Sequence, residues 1–250
     1  MAESVGLHWA SKGWIGVSRI DDEWAWDLFP SIWSAWQTHS EANQIVVTTP
    51  MGLPSPSGSR RECDEAAKRL LGPRHSSVYY APVRAAVYET SLTTAKELND
   101  PAGFGIQNQA WSHIPRIREL DEFLLAVPAA QSVFHETQPD LCFHALAERA
   151  LQHSRRTEAG IDERLAIIDA TAPSVTDPIR EAISAFTQPR YAPLVTSVAD
   201  VLDGFIAAVT ADRHPDVATL PISPPQDEHG IPMAIVYPGD NRQLTLHDLE

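Results

Sequence analysis

The sequence predicts a single α/β domain over residues 1–250, with a mixed sheet that opens with three antiparallel strands and is flanked by helices. Three features support this prediction. Residues 14–20 alternate as a hairpin strand does. Residues 44–48 form a β-branched run, which is typical of a buried parallel strand. Residues 133–137 alternate again, and Pro139 then ends the strand and begins an apolar helix.

The first elements are predicted in the order β-β-β-α-β. Asp21 and Asp22 form a turn between two alternating segments, and Ile32, Trp33 and Trp36 recur at helical spacing. The predicted elements are strands at residues 5–8, 14–20 and 23–29, a helix from Pro30-Ser31, and a strand at 44–48.

A helical insert of about residues 60–127 is predicted next. Residues 49–61 precede it as a loop rich in Pro, Gly and Ser, directly after a strand, where α/β folds place their sites. The predicted helices are residues 62–71, residues 94–98 with a capping box from Thr94 to Glu97, and residues 110–125 with a break at Pro115.

The last part of the chain is predicted to be mostly helical. Asp177 and Pro178 suit the cap and first position of a helix. The predicted elements are helices at 160–168, 179–186 and 195–211, a strand at 233–237, and a frayed tail at about 239–250.

The helix at residues 195–211 has two different faces. One is a stripe of large apolar residues, and the other combines small residues with Asp200 and Asp203. Small residues suit close packing against a sheet beside a site. A pair of solvent-exposed aspartates is an equally good interpretation.

Composition sets the expected compartment and partners. The formal charge of -14 disfavours loose binding to nucleic acid, although a locally basic groove is compatible with it. Two cysteines, Cys63 and Cys142, and the lack of a basic-then-apolar leader predict a reducing cytoplasm. No apolar run approaches the roughly 20 residues that span a bilayer, so a soluble protein without a membrane partner is expected.

Glu136 lies near the end of a predicted strand, where a carboxylate is either solvated or a metal ligand or general base. His135 and Glu136 also suggest a zinc-protease motif. That motif needs a second histidine at the position of Pro139, so the interpretation is excluded.

Eight segments together resemble one family over nearly the whole chain. They are VGLHWASKGWIGV (5–17), VVTTPMGLP (46–54), RRECDEAAKRLLGPRHSSVYYAPVRAAV (60–87), IPRIRELDEFL (114–124), FHETQPDLCF (134–143), GIDERLAII (160–168), VADVLDGFIAAVTA (198–211) and PPQDEHGIPMAIVYP (224–238). In this order they resemble the domain of unknown function 429 family, which is predicted to have an RNase H-like nuclease fold. A fold-level resemblance is not yet an activity.

The resemblance implies a two-metal site, in which acidic residues of the first strand, a later strand and a late helix hold divalent ions. Three of the usual acidic positions fall here on His8, Thr48 and Ala234. The acidic residues that remain, and that we expect to form the catalytic cluster, are Glu136, Asp200 and Asp203.

The expected cofactor is Mg²⁺ or Mn²⁺, or no metal at all. Replacing two carboxylates by imidazole and hydroxyl removes two negative charges, so a two-metal site should be weakened or lost. One softer ion, Mn²⁺ or Zn²⁺, held by His8, Glu136 and Asp203 is the alternative. The ordinary interpretation of His8 is a packed strand histidine.

Predicted substrate contacts are basic or hydroxylic residues near the implied site. The candidates for phosphate binding are Arg60, Arg61, Thr48, Arg155 and Arg156. Ordinary solvated arginine pairs are the competing interpretation. Six of the seven tryptophans lie within residues 9–36, where they either pack a sheet face or stack bases.

Two functions follow. The first is a descendant of nucleases that has weakened or lost two-metal catalysis and still binds a nucleotide, nucleic acid, partner protein or second copy. The second is an active metal-dependent nuclease or phosphodiesterase that uses Glu136, Asp200 and Asp203. We favour the first, because His8 and Thr48 replace acidic residues.

Overall fold

A five-stranded mixed sheet forms the centre of the computed structural model, which describes residues 3–191, 194–195 and 197–239. Its strands are β1 (Glu3–Ala10), β2 (Gly13–Ile20), β3 (Glu23–Phe29), β4 (Gln44–Val47) and β5 (Phe134–Glu136). The order across the sheet is β3-β2-β1-β4-β5. The first three strands are antiparallel, whereas β4 is parallel to both β1 and β5. The predicted mixed sheet with an antiparallel opening is confirmed.

Asp21 and Asp22 make the turn between β2 and β3, as predicted. Both have left-handed backbones, with φ of 50° and 69°. Successive left-handed residues match the twist of a tight hairpin, and aspartate tolerates this conformation better than most residues. The turn sets the register in which Ile20 pairs with Glu23.

Helices cover both faces of the sheet. They are α1 (Ile32–His39), α2 (Glu62–Leu71), α3 (Arg84–Val87), α4 (Leu92–Asn99), α5 (Asn108–Ala126), α6 (Pro139–Ala147), α7 (Glu158–Thr171), α8 (Thr176–Phe186) and α9 (Val198–Asp212). Helices α2 to α5 fall within the predicted insert between β4 and β5. No helix in the described ranges is both long and apolar enough to cross a bilayer.

A second, two-stranded sheet follows α9. It pairs β6 (Val217–Leu220) with β7 (Ile235–Pro238) in antiparallel fashion, and Val236 also bridges to Thr137 just after β5. The last strand was predicted, but β6 was not. The predicted frayed tail lies outside the described residues from residue 240 onward.

Three local predictions are corrected. Ser91, not Thr94, caps α4, because its side chain accepts a hydrogen bond from the Thr94 backbone N–H. Asp177 lies inside the first turn of α8, since a short 3₁₀ segment leads directly into the helix. Helix α5 continues through Pro115, and its buried apolar face holds the turns on both sides of the proline together.

The small-residue face of α9 lies directly on the sheet. A Cβ at Gly6 of β1 would come within 2.1 Å of the Ala208 backbone nitrogen, so only glycine allows this approach. Ala207 and Ala211 pack against Val46 of β4. Close packing is therefore confirmed for this face, and the exposed-aspartate interpretation is wrong for Asp203, which is completely buried.

The opposite sheet face packs against α1 and α5. Leu7, Val47 and Phe134 share one apolar cluster with buried residues of those helices. Because side chains alternate along a strand, residues next to Leu7 and Val47 face α9 instead. The polar residues at the ends of the strands therefore lie in two separate groups, one on each face of the sheet.

Candidate functional site

His8 and Thr48 meet at the carboxyl ends of two parallel strands. The Thr48 backbone N–H donates to the Leu7 carbonyl at 3.0 Å, which continues the register that pairs Leu7 with Val47. His8 Nδ1 then lies 2.7 Å from Thr48 Oγ1. A Cβ at Gly204 would lie 3.7 Å from Cβ of His8, so the histidine faces α9.

Two carboxylates of α9 face the other nitrogen of the same ring. Ser197 caps the helix by accepting the Asp200 backbone N–H at 3.2 Å. Asp200 Oδ1 lies 3.6 Å and Asp203 Oδ2 3.9 Å from His8 Nε2. The result is a contiguous set of hydroxyl, imidazole and two carboxylates.

Arg155 bridges the two carboxylates from the loop before α7. Its Nη2 donates to Asp200 Oδ1 at 2.8 Å, and its Nη1 lies 2.6 Å from Asp203 Oδ2. The second contact is an ion pair without hydrogen-bond geometry, so neither Asp203 oxygen has a well-directed donor. One guanidinium therefore supplies the positive charge opposite both acids.

The electrostatics of these groups differ. Burial raises the pKa of Asp203, and the nearby Arg155 and His8 only partly oppose this. Burial acts in the same direction on Asp200, but its contact with His8 and the charge of Arg155 lower its pKa overall. Attraction to Asp203 raises the pKa of Arg155. Arg155 is thus a fixed cation, and Asp203 is the carboxylate that depends most on it.

His8, Arg155 and Asp200 line a cleft of about 720 Å³, a size typical of small-molecule sites. Its lining includes five serines and three arginines, namely Arg74, Arg155 and Arg156. Only two carboxylates, those of Asp140 and Asp200, belong to the same lining. Asp140 is already paired with the buried Arg164, at 2.6 Å. The cleft is therefore locally basic in a chain whose formal charge is -14.

Two aromatic residues of the cleft lining, His113 and Trp9, each pack against another side chain. His113 stacks on Tyr79 with ring centroids 5.3 Å apart. Burial, with smaller contributions from His8 and Arg155, lowers the pKa of His113 to about 4, so its imidazole is neutral at pH 7. Trp9 lies under the guanidinium of Arg116, 3.1 Å from the ring centroid, which occupies one of its faces.

Glu136 lies in a different cluster. It pairs in register with Val47, which places it on the sheet face opposite to His8. Arg61 donates from Nη1 to Oε2 at 2.7 Å and from Nη2 to Oε1 at 2.8 Å, and Met51 N–H donates to Oε2 at 2.8 Å. Asp64 also pairs with Arg61 and accepts a hydrogen bond from its Nε, and the side chain of Arg61 is fully buried.

The structure thus divides the predicted site residues into two groups. Those brought together in or beside the cleft are His8, Thr48, Asp200, Asp203, Arg155 and Arg156. Glu136 and Arg61 form the buried pair on the other face, and Arg60 stacks on Tyr80 at 4.4 Å outside the cleft lining. The predicted metal set of His8, Glu136 and Asp203 therefore does not converge, and Arg61 has no surface with which to contact a substrate.

Sequence reasoning missed Arg74 and His113. Arg74 follows the end of α2 in a short 3₁₀ segment and is fixed by a hydrogen bond from Nε to the Leu151 carbonyl at 3.1 Å. His113 lies in the middle of α5. Neither belongs to a sequence pattern that indicates a site, because only the tertiary packing of the insert brings them to the cleft.

The donor set does not fit the two-metal site that the resemblance implies. Within the described residues, no group of three or more His, Cys, Asp or Glu side chains is arranged to hold a metal ion. Asp200 and Asp203 already share a guanidinium, and Glu136 is neutralised by Arg61.

Comparison with known proteins identified one family. Its sequence model, described as "Protein of unknown function (DUF429)", matches residues 9–227. Neither the curated proteins nor the solved structures gave a significant match.

Proposed function

The chain belongs to the DUF429 family, and we propose that it is an RNase H-like protein that binds a phosphate-bearing ligand, a nucleotide or nucleic acid segment, without two-metal hydrolysis. The observation that carries this proposal is the basic lining of the cleft by Arg74, Arg155 and Arg156. The cleft lies at the carboxyl ends of β1 and β4, where α/β proteins commonly bind their ligands.

The positions of the site residues support the RNase H-like assignment. His8 comes from the first strand, Thr48 follows a later parallel strand, and Asp203 comes from a late helix. These are the three places from which RNase H-like proteins gather their acidic residues. The sheet, with three antiparallel strands followed by two parallel ones, agrees with this assignment.

Arginine and serine side chains suit a phosphate group. A guanidinium offers paired N–H donors to phosphate oxygens, and hydroxyls add weaker donors around it. Arg156 is exposed, and Arg155 keeps about a third of its side chain exposed at 34%. Arg156 can therefore reach a ligand in the cleft without unfolding any element, whereas Arg155 would contact the ligand with its exposed part while it stays paired with Asp200 and Asp203.

The active-nuclease alternative is less well supported. It requires Glu136, Asp200 and Asp203 to act together, but Glu136 lies on the other sheet face and is bound by Arg61. Hydrolysis of labelled RNA or DNA that needs Mg²⁺ and is lost in Glu136→Gln would favour this alternative.

Binding of fluorescent single-stranded RNA and DNA, and of nucleoside monophosphates, in the presence of EDTA tests the proposal. We expect Arg74→Ala and Arg156→Ala each to weaken binding about tenfold, since a hydrogen bond to a charged group contributes about 1.5–3 kcal/mol. Arg180 is the matched control, because it is an exposed arginine of α8 outside the cleft lining. No measurable binding, or equal weakening by Arg180→Ala, would contradict the proposal.

We also infer a reducing compartment such as the cytoplasm. Cys63 and Cys142 are both buried free thiols, which is the usual state of cysteine in such compartments. Fractionation of cells that express a tagged copy of the chain tests this: recovery of the chain from an oxidising compartment would contradict the inference.

A further inference from the structure

We propose that Trp9, Gln109 and His113 form a base-binding part of the cleft, so that its ligand is a nucleotide unit whose base is unpaired. Such a unit is either a free mononucleotide or one residue of a single strand. This inference rests on the proposed phosphate binding, and it identifies the other half of the ligand and the residues that hold it.

The lining of the cleft divides by charge. Its three arginines come from the 3₁₀ segment after α2 and from the loop before α7. Helix α5 instead contributes Gln109, Ser112 and His113, none of which is charged at pH 7, and the end of β1 adds the indole of Trp9. A nucleotide has the same division, because its phosphate is anionic and its base is an uncharged aromatic ring.

The amide of Gln109 is free to bind the edge of a base. Gln109 and His113 are four residues apart on α5, so they lie on the same side of the helix. Gln109 is exposed, and its side chain makes no hydrogen bond to any residue in the described ranges. Its amide offers both donors and an acceptor, which are the groups that the edges of bases pair with.

The imidazole of His113 provides a second donor and acceptor. Its ring stacks nearly parallel on Tyr79, at an interplanar angle of 17°, which covers one face and fixes its orientation. The ring nitrogens form no hydrogen bond with the part of the chain that the structure describes. Burial, and then the charges of His8 and Arg155, lower the pKa of His113, so this ring lies close to one of the phosphate-binding arginines.

The indole of Trp9 is held ready for a base to pack on it. The guanidinium of Arg116 covers one face, and Trp14, the partner of Trp9 in the hairpin, meets it at 78° with ring centroids 5.6 Å apart. The part of Trp9 that remains exposed borders the cleft. A ring that is already oriented loses little conformational freedom when a ligand binds, and aromatic side chains are common platforms for unpaired bases.

The first test measures what the base contributes, by isothermal titration calorimetry in EDTA with AMP and with ribose 5-phosphate. We expect the wild type to bind AMP about tenfold more tightly, because only AMP carries a base to pack on the indole. Trp9→Leu keeps apolar bulk but removes the aromatic ring, so it should abolish most of this difference and leave the affinity for ribose 5-phosphate unchanged. Trp33→Leu is the matched control, since Trp33 is 44% exposed and lies outside the cleft lining.

A second variant guards against a packing defect in Trp9→Leu. Gln109→Ala alters an exposed side chain without hydrogen bonds to described residues, so the fold should be unaffected. It should weaken AMP binding about fivefold through the lost hydrogen bond to the base, and should not change ribose 5-phosphate binding. Gln107→Ala is its control, because Gln107 is an exposed residue just before α5 and outside the cleft lining.

A short single strand of adenylates and the same strand in a duplex complete the comparison. A strand that binds much more tightly than AMP identifies nucleic acid as the source of the base, whereas equal affinities identify the mononucleotide. The duplex should bind at least about tenfold more weakly than the strand, because its bases are stacked on one another and cannot pack on Trp9.

Two kinds of result would overturn the inference and leave the proposed phosphate binding intact. One is equal affinity of the wild type for AMP and ribose 5-phosphate, or for strand and duplex. The other is an unchanged affinity for AMP in both Trp9→Leu and Gln109→Ala. If neither AMP nor ribose 5-phosphate bound to the wild type, the proposed function itself would fail, and the inference with it.

Discussion

His8 Nδ1 and Thr48 Oγ1 lie 2.7 Å apart, although the residues are 40 positions apart in the chain. The parallel register of β1 and β4 brings them together, and α9 places the carboxylates of Asp200 and Asp203 on the far side of the imidazole. The ring therefore connects a hydroxyl to an acidic pair, and the position of its proton can be predicted.

We expect neutral His8 to carry its proton on Nε2. The two carboxylates face that nitrogen and favour an N–H there, so Nδ1 accepts the hydroxyl hydrogen of Thr48. Long-range proton–nitrogen NMR of histidine-labelled protein distinguishes the two tautomers, and a His8→Asn sample assigns the signals. Thr48→Val should cost about 1 kcal/mol of folding free energy by removing the hydroxyl donor. A proton found on Nδ1 would show that Thr48 accepts instead.

The neighbouring arginines 60 and 61 should differ strongly in their effect on stability. Arg61 is buried and holds Glu136, whereas the side chain of Arg60 is 40% exposed. Arg61→Met leaves buried carboxylates unpaired and should lower the free energy of unfolding by about 3–5 kcal/mol. Arg60→Met should change it by no more than about 1 kcal/mol, since it removes the stacking on Tyr80. Urea unfolding measures both.

A double variant sharpens that prediction. Arg61→Met combined with Glu136→Leu removes both charges of the pair, so it should cost less than the sum of the two single changes. Additive effects would mean that the 2.7 and 2.8 Å contacts contribute little to stability.

The contrast between Arg60 and Arg61 also shows where sequence reasoning stops. A basic pair in a Pro-Gly-Ser loop looks solvated, and nothing local reveals that one member turns inward to meet a glutamate 75 positions later. Glu136 illustrates the same limit. Its place near a strand end was correct, but the face it occupies depends on its register with Val47, which the sequence alone does not specify.

Other parts of the fold were predictable because local and tertiary signals agreed. The small face of α9 implied close packing on a sheet, and Gly6 supplies the matching gap in β1. The turn at Asp21-Asp22 followed from turn chemistry. Strand β6 could not be recognised, since its four residues gain their order from pairing with β7.

His113 should make stability fall on acidification. Burial, aided by His8 and Arg155, lowers its pKa from 6.5 to about 4. Between these values the unfolded chain binds a proton at this position that the folded chain does not, so stability decreases as the pH falls from 6.5 toward 4. Above pH 6.5 His113 is unprotonated in both the folded and the unfolded chain, so it no longer contributes to the pH dependence of stability.

The comparison of wild type with His113→Gln isolates this contribution. His135, whose pKa burial also lowers to about 4, remains in both proteins and cancels. Denaturant unfolding from pH 7.5 to 4 should show a shallower loss in the variant, by up to about 1.4 kcal/mol per pH unit. NMR titration of His113 with a midpoint near 6.5 would contradict the prediction.

Ligand binding in the cleft should depend on salt only moderately. Three arginines line it, so at most three phosphates are neutralised, and the logarithm of the affinity for a single strand should fall with the logarithm of salt with a slope of about -2. The overall charge of -14 works in the opposite direction, because added salt screens the long-range repulsion, and this makes the slope shallower. Arg156→Ala should reduce the slope by about 0.7, whereas Arg180→Ala should leave it unchanged.

A slope near zero in the wild type would mean that the cleft recognises something other than phosphate, and a slope much steeper than about -2 would place the nucleic acid on a larger basic surface than the cleft provides.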